Sequence, residues 1–334
     1  MDVRRGGIWL FGLALGVLLL FVSDVVLGSV HVGWDGLWGA LRGESRYALE
    51  RAIVVGFRLP KALTSLLAGM GLAVSGLLMQ TAFRNPLAGP YVLGISSGAS
   101  LGAALAILAV GSGVLISPFS LAASAWLGSA GALLLILMAS VRLRSNAMLL
   151  IFGVMLSAVA GAGVSILQYV SDAHALKRFT LWALGSLGNV TGGALLLLTV
   201  GVLVGLLLAY LCVRPLNLLL LGSEAAHRLG LPLGVSRVLV FGATTLLAGT
   251  VTAYCGPIGF IGIAIPHVAR WVMRTAKHGQ LITATCLLGG LAMLLTDIIS
   301  QLPGSDTVLP VNAVASLLGL PVVLRILLAK RGGA

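Results

Sequence analysis

Long apolar runs alternate with short polar segments along the whole chain. The runs cover, approximately, residues 8–28, 59–82, 92–111, 118–140, 147–169, 192–212, 236–255, 259–274, 280–299 and 309–328. A helix needs about 20 apolar residues to cross a bilayer, and all runs except the shorter 259–274 approach that length. The alternating ten-residue segments of a membrane β-barrel are absent. We therefore predict an all-α, polytopic membrane protein with about ten transmembrane helices, forming a single transmembrane domain over residues 1–334.

The composition supports this class. Apolar residues make up 59% of the chain and charged residues 9%, whereas a soluble domain is about one quarter charged. The 45 glycines favour close approach of neighbouring helices. Cys212, Cys255 and Cys286 have no disulfide or metal spacing, so we interpret them as packing residues.

The net charge of +12 follows from the predicted topology. With the N-terminus inside, fourteen of the 21 basic residues fall in inner segments, together with only two of the nine acidic residues. This distribution satisfies the positive-inside rule and predicts that both termini are cytoplasmic. The basic character therefore gives no reason to expect nucleic-acid binding.

Three segments between the runs are long enough to hold structure. Residues 29–57 carry Trp34 and Trp38, which suit a membrane interface. Residues 170–191 predict a short amphipathic or re-entrant helix. The inner segment 213–235 predicts a helix at about Ser223–Leu229, with Ser223 as its N-cap and an end before Gly230. We expect this helix to dock onto a soluble partner.

The chain has no visible energy source of its own. It lacks a G-x-x-x-x-G-K-[ST] nucleotide motif and any cysteine–histidine metal set. The runs are almost free of ionisable residues, which gradient-driven transporters usually carry. Asp24 and Asp297 fall near predicted outer ends, and His267 adjoins a helix core as either a packed, hydrogen-bonded residue or a gating residue.

Three stretches carry a family resemblance. They are "RLPKALTSLLAGMGLAVSGLLMQTAFRNPLAGPYVLGISSGAS" at 58–100, "LGSEAAHRLGLP" at 221–232, and "GPIGFIGIAIPHVARWV" at 256–272. Together they resemble the permease subunits of bacterial ABC importers for iron-siderophore complexes, haem and vitamin B12, the type II importer transmembrane domain. The resemblance extends over nearly the whole chain.

This resemblance implies an assembly in the bacterial inner (cytoplasmic) membrane. The expected partners are a second permease subunit, two cytoplasmic ABC ATPase subunits, a periplasmic or lipoprotein substrate-binding protein, and membrane lipid. A homodimer is expected, and a heterodimer with a paralogue stays open. The chain itself would have no catalytic residue, metal or cofactor, because the partner ATPase binds ATP and Mg.

The resemblance also implies site residues. Arg58 and Lys61 match the two basic residues that pair with acidic groups of the binding protein. A third basic position, in the family's Asp-x-x-x-Arg motif, is occupied here by Gln301, four residues after Asp297. This departure weakens the docking assignment.

Two segments match the family's cytoplasmic gate. The first contains Asn85 and Leu87 in "NPLAGP", where two prolines leave the backbone unable to continue a helix. The second contains Asn146 and Ala147, where the family commonly has hydroxyl residues. A mere turn is the alternative for "NPLAGP".

The coupling element and a structural motif complete the set. The expected ATPase-coupling residues are Gly222, Glu224, Ala225, His227, Arg228, Leu229 and Gly230. The motif "GPIGFIGIAIPH" and its continuation supply helix-packing residues first and path-lining residues second: Gly256, Pro257, Gly259, Phe260, Gly262, Pro266, His267 and Arg270. Near the last run, Val308-Leu309-Pro310 replaces the family's "ELP", and Asn312 replaces a glycine.

The sequence therefore predicts the permease subunit of an ATP-driven importer of an iron chelate, either a siderophore or haem. Vitamin B12 is the alternative within the family. A gradient-driven secondary transporter or channel, and a membrane scaffold that transports nothing, are the alternatives from other classes.

Overall fold

The computed structural model describes residues 3–28, 30, 32–109, 117–143, 145–301 and 308–329. Throughout these residues the regular structure is helical. The first part contains α1 (Val3–Val26), α2 (Trp34–Arg42), α3 (Ala48–Ile53), α4 (Leu59–Ala82), α5 (Ile95–Ala104), α6 (Pro118–Arg142) and α7 (Asn146–Val170). The second part contains α8 (Ala173–Ala183), α9 (Gly192–Leu211), α10 (Val213–Leu219), α11 (Ser223–Arg228), α12 (Leu233–Cys255), α13 (Ile261–Met273), α14 (His278–Ser300) and α15 (Val311–Ala329).

Each predicted apolar run coincides approximately with one apolar helix. Within the described residues, seven helical stretches are long and apolar enough to cross a membrane, and Ile95–Ala109, Ile261–Met273 and Val311–Arg325 are shorter apolar helices. An all-helical fold is thus confirmed for the described residues, and its helices are those of a polytopic membrane protein. The total of ten crossings, the side of the termini and the single domain stay predictions.

Helix α4 lies at the centre of the bundle. It packs against α14, α12, α13 and α9, and most of its side chains are buried, whereas few of the described side chains of α1 are. Small residues permit this position, because a Cβ built on Gly76 would lie 1.7 Å from the carbonyl oxygen of Gly262 in α13. The large exposed side chains of α1, α7 and α9 are apolar and form surfaces suited to lipid.

The short helices correspond to the predicted connecting segments. Helix α8 is the predicted amphipathic helix, and the Oδ1 atom of Asp172 caps it by accepting from the backbone N–H of His174 and Ala175. Helix α11 is present, but Gly222 rather than Ser223 is its N-cap, and no side chain caps it. The reason is backbone geometry: Gly222 has φ +102°, a conformation that glycine adopts readily.

Candidate functional site

The "NPLAGP" segment, residues 85–90, leaves α4 in a tight turn. Arg84 has φ +48°, and the Asn85 N–H donates to the carbonyl oxygen of Gln80 at 3.1 Å. The Asn85 Oδ1 atom accepts from the backbone N–H of Leu87 at 3.0 Å, closing an Asx turn. The Leu87 side chain is 37% exposed at the tip.

The "NPLAGP" segment rests on α13. The Nε2 atom of His267 donates to the carbonyl oxygen of Pro86 at 2.7 Å. A Cβ on Gly262 would lie 2.6 Å from the Cδ atom of Pro90, and one on Gly89 would lie 2.9 Å from the Ile263 side chain. The turn is therefore braced along its length, and its glycines are needed for the close approach.

Hydrogen bonds of the Gln80 side chain link α4 to α13 just before this turn. Gln80 donates from Nε2 to the carbonyl oxygen of Ile263 at 3.0 Å. Its Oε1 atom accepts from the Arg270 guanidinium at 2.6 Å. Gln80 therefore joins the first turn of α13 to Arg270 in its last turn.

The second predicted gate position lies against the first. Asn146 donates from Nδ2 to the carbonyl oxygen of Ala82 at 3.0 Å, at the end of α4. Ala147 is exposed. Next to this bond, Phe83 and Phe241 stack with their centroids 5.6 Å apart. The structure thus brings Asn146 to the root of the "NPLAGP" segment.

Helix α11 presents most of its side chains outward. Ala226 is fully buried, whereas Glu224, His227, Arg228, Leu229 and Gly230 are exposed and Ala225 is half-buried. The helix ends through Gly230, at φ +83°, whose N–H donates to the His227 carbonyl oxygen. A Cβ on Gly222 would lie 3.3 Å from an Arg84 guanidinium nitrogen, so α11 begins beside the "NPLAGP" segment.

A buried histidine joins α10, α14 and α4. His278 is 1% exposed, and its Nδ1 atom donates to the Oδ1 atom of Asn217 at 2.8 Å. The His278 Nε2 atom lies 2.9 Å from the Thr81 hydroxyl. This contact could not be predicted from the sequence, because His278, Asn217 and Thr81 are far apart along the chain.

The "GPIGFIG" loop lies between α12 and α13. Gly256 has φ +76°, and its Cβ position would lie 2.4 Å from the Trp182 carbonyl oxygen, which requires glycine. Phe260 has φ +63°. The Asn312 Oδ1 atom accepts from the Gly259 N–H at 2.9 Å, so the asparagine that replaces a family glycine holds this loop.

The predicted docking residues lie at the opposite end of α4, and both are engaged within the chain. Arg58 is 8% exposed and donates to the carbonyl oxygens of Val25, Val26 and Val30. Lys61 forms an ion pair with Asp297 at 2.9 Å and keeps 19% of its side chain exposed. Lys61 also borders a cavity of about 520 Å³ formed with the segments before α9 and α15.

Two clusters therefore emerge. One joins the "NPLAGP" segment, Asn146, the start of α11 and the motif residues His267 and Arg270, while Gly256, Pro257 and Gly259 lie in the loop that precedes α13. The other joins Arg58 and Lys61 to α1 and α14. Among the described residues, no group of three or more histidine, cysteine, aspartate or glutamate side chains is arranged to hold a metal ion.

The long apolar helices and their lipid-suited faces define the class as an integral membrane protein. The sequence comparison identifies the family. Residues 16–329 match the FecCD transport family, and the chain belongs to that family.

Comparisons with individual relatives support this family assignment. The chain is 36% identical to the hemin transport system permease protein HmuU of Yersinia pestis, covering 96% of both chains. It is also 36% identical to the vitamin B12 import system permease protein BtuC of Klebsiella pneumoniae, covering 99% of this chain and 97% of the relative. A solved structure described as an inward-facing conformation of a metal-chelate type ABC transporter superposes with a TM-score of 0.83 at 31% identity. That match covers 97% of this chain and 99% of the solved chain. The chain is therefore a permease subunit of an ABC importer.

Proposed function

We propose that this permease carries an iron chelate, a siderophore complex or haem, into a bacterial cell. The observation that carries the proposal is its similarity to HmuU over 96% of both chains, at 36% identity. The structural neighbour of metal-chelate type supports the same substrate class. Vitamin B12 is the second candidate, since BtuC is equally similar.

The proposed assembly places two permease subunits in the cytoplasmic membrane, preferably as a homodimer. Two ATPase subunits bind at the α11 end, which is cytoplasmic, and a substrate-binding protein docks at the Lys61 end. ATP and Mg are bound by the ATPase, so this chain performs no hydrolysis. The exposed residues of α11 supply the contact, because the helix offers the alkyl chain of Leu229 and the charges of Glu224 and Arg228.

We assign the cytoplasmic gate to Asn85 and Leu87, supported by Asn146 and Ala147. Movement of α11 would reach the gate by two routes. Gly222 lies beside Arg84, which precedes the turn. Asn217 of α10 holds His278, which contacts Thr81 three residues before Arg84. Both routes are short and pass through hydrogen bonds or direct packing.

For docking, the two basic residues differ. Lys61 borders an open cavity and can reach an acidic group of a binding protein. The Arg58 guanidinium already serves three carbonyl oxygens, so we propose that it fixes the connection between α1 and α2 rather than contacting a partner.

The test is reconstitution of the permease with its ATPase and binding protein in liposomes. Uptake of haem, a ferric hydroxamate siderophore and cyanocobalamin is measured with ATP inside, and with ATP omitted as the control. We expect ATP-dependent uptake of haem or the ferric siderophore. Preferred uptake of cyanocobalamin would establish the second candidate, and uptake by the permease alone would show a gradient-driven transporter.

A further inference from the structure

Three charged side chains meet at the end of the bundle opposite α11. Asp24 of α1 is 3% exposed and Asp297 of α14 is fully buried. Lys61 of α4 forms its ion pair with the Oδ1 atom of Asp297 at 2.9 Å. We call Asp24, Lys61, Asp297 and Gln301 the acid cluster.

The two carboxyl groups of the acid cluster are direct neighbours. The Nε2 atom of Gln301 donates to the Oδ1 atom of Asp24 at 3.3 Å and to the Oδ2 atom of Asp297 at 3.4 Å. Both carboxyl groups therefore lie beside the same amide nitrogen. Ser300 adds a contact to the Oδ1 atom of Asp297 at 3.4 Å.

The charges of the cluster do not balance. It holds two carboxyl groups and one ammonium group, and Gln301 is neutral. Arg58, three residues before Lys61, does not balance the second carboxyl group, because its guanidinium donates to backbone carbonyl oxygens. Of the helices that pack on α1, α13 contributes Arg270, which is bound to Gln80 near the α11 end. Within the acid cluster, the ion pair is Lys61–Asp297.

One carboxyl oxygen also lacks a partner among the described residues. The Oδ2 atom of Asp24 is buried and accepts no hydrogen bond from any described group. An ionised carboxylate in this position would be a buried charge without compensation, which is costly. A protonated carboxyl group has an O–H donor, and Asp297 is the acceptor beside it.

We propose that Asp24 and Asp297 form a proton-binding site that retains one proton at neutral pH. The proton resides on Asp24, whose O–H donates to the Asp297 carboxylate, and Lys61 neutralises that carboxylate. The cluster then carries no net charge, and each buried polar atom gains a partner. The site fastens α1 to α14 and α4 independently of which substrate the importer carries.

The direct test is infrared spectroscopy of the purified full-length protein at neutral pH. We expect wild type to show the carbonyl stretch of a protonated carboxylic acid and Asp24→Asn to lack it. Asp35→Asn is the matched control, because Asp35 is exposed on α2. This variant should keep the carboxylic acid band of wild type. Identical carboxylic acid regions in wild type and Asp24→Asn would overturn the proposal.

The second test measures unfolding in detergent against pH. The native state holds a proton that the unfolded state releases, so stability falls as the pH rises. We expect the unfolding equilibrium constant of wild type to increase by up to about tenfold per pH unit relative to Asp24→Asn. Gln301→Arg supplies the missing positive charge and should also flatten the dependence. Parallel curves for wild type and Asp24→Asn would contradict the site.

A metal ion is the competing occupant. Sodium, magnesium or calcium chloride is added at constant ionic strength to wild type and to Asp24→Asn. We expect no ion to stabilise wild type selectively. Selective stabilisation would show that the carboxyl groups bind a metal cation, and the proton assignment would be wrong.

Discussion

Single atoms decide how closely the central helices approach. A Cβ on Gly76 would lie 1.7 Å from the Gly262 carbonyl oxygen, and one on Gly69 would lie 2.1 Å from that of Gly289. No side-chain rotation relieves such contacts, because the opposing atoms are backbone. In a membrane, where association depends on close packing, these glycines make α4 the shared partner of α13 and α14.

We therefore predict that Gly76→Ala lowers the stability of the bundle by about 1–3 kcal/mol, the usual cost of overpacking. The measurement is thermal unfolding in detergent, followed by the monodisperse fraction. Gly242→Ala is the control, since a Cβ at that α12 position has no atom within 4 Å. Equal unfolding midpoints for the two variants would contradict the proposed close contact.

The Asn85 side chain gives a second prediction at this scale. Its Oδ1 atom holds the Leu87 N–H, so Asn85→Ala removes a hydrogen bond with a net contribution of about 0.5–1.5 kcal/mol. Asn85→Asp keeps the acceptor. We expect ATP-driven uptake to fall in the alanine variant and to persist in the aspartate variant. Unchanged uptake by Asn85→Ala and Leu87→Ala would show that "NPLAGP" is a turn without a role in gating.

At the scale of elements, α10 and α14 are joined through a polar contact inside an apolar bundle. The His278 ring and backbone N–H both donate to the Asn217 Oδ1 atom. A double-mutant cycle with Asn217→Ala and His278→Ala should give an interaction free energy of about 0.5–3 kcal/mol in unfolding measurements. Asn217→Ala combined with His174→Ala in α8 is the control, and we expect those effects to add. If the free-energy changes add in both pairs, the Asn217–His278 contact does not couple α10 to α14 energetically.

Helix α11 carries the next prediction. Arg228 is exposed on it, so Arg228→Glu reverses a charge at the proposed ATPase contact without disturbing buried packing. We expect uptake to be lost while the permease remains in the membrane. Arg142→Glu, an exposed change at the end of α6, is the control and should retain uptake. Wild-type uptake and substrate-stimulated hydrolysis by Arg228→Glu would exclude the coupling role.

The elements themselves were largely predictable, whereas the contacts between them were not. Apolar runs determine helix positions because a spanning helix satisfies its own backbone, and α4 begins and ends at the predicted residues 59 and 82. The Gly222 cap was missed because its φ of +102° depends on the preceding α10 turn. The contacts of His278, Gln80 and Asn312 were missed because their partners are distant in sequence, and one sequence does not show which distant residues meet.

The whole molecule has two chemically different ends. At the α11 end, hydrogen bonds surround a turn that packs against α13, among them those from the Arg270 guanidinium to Gln80 and from His267 to Pro86. At the other end, charged groups are buried between α1, α4 and α14. About 20 residues of α4 separate Lys61 from Thr81, which corresponds to roughly 30 Å, the thickness of a bilayer core. The family residues assigned to gating and coupling therefore lie at one end of the bundle, and Lys61 lies at the other.

This arrangement predicts the topology in the membrane. Glu44→Cys, before α3, and Glu224→Cys, on α11, place single exposed thiols at opposite ends, while native Cys212 and Cys255 are buried and Cys286 is half-buried. Because basic residues concentrate in segments on the α11 side, we expect the α11 end of the bundle to face the cytoplasm. In right-side-out vesicles, an impermeant maleimide should label Glu44→Cys and spare Glu224→Cys until detergent is added. Labelling of the unsubstituted protein, with its three native cysteines, gives the background signal. The reverse labelling would invert the bundle and place the proposed ATPase contact on the wrong side of the membrane.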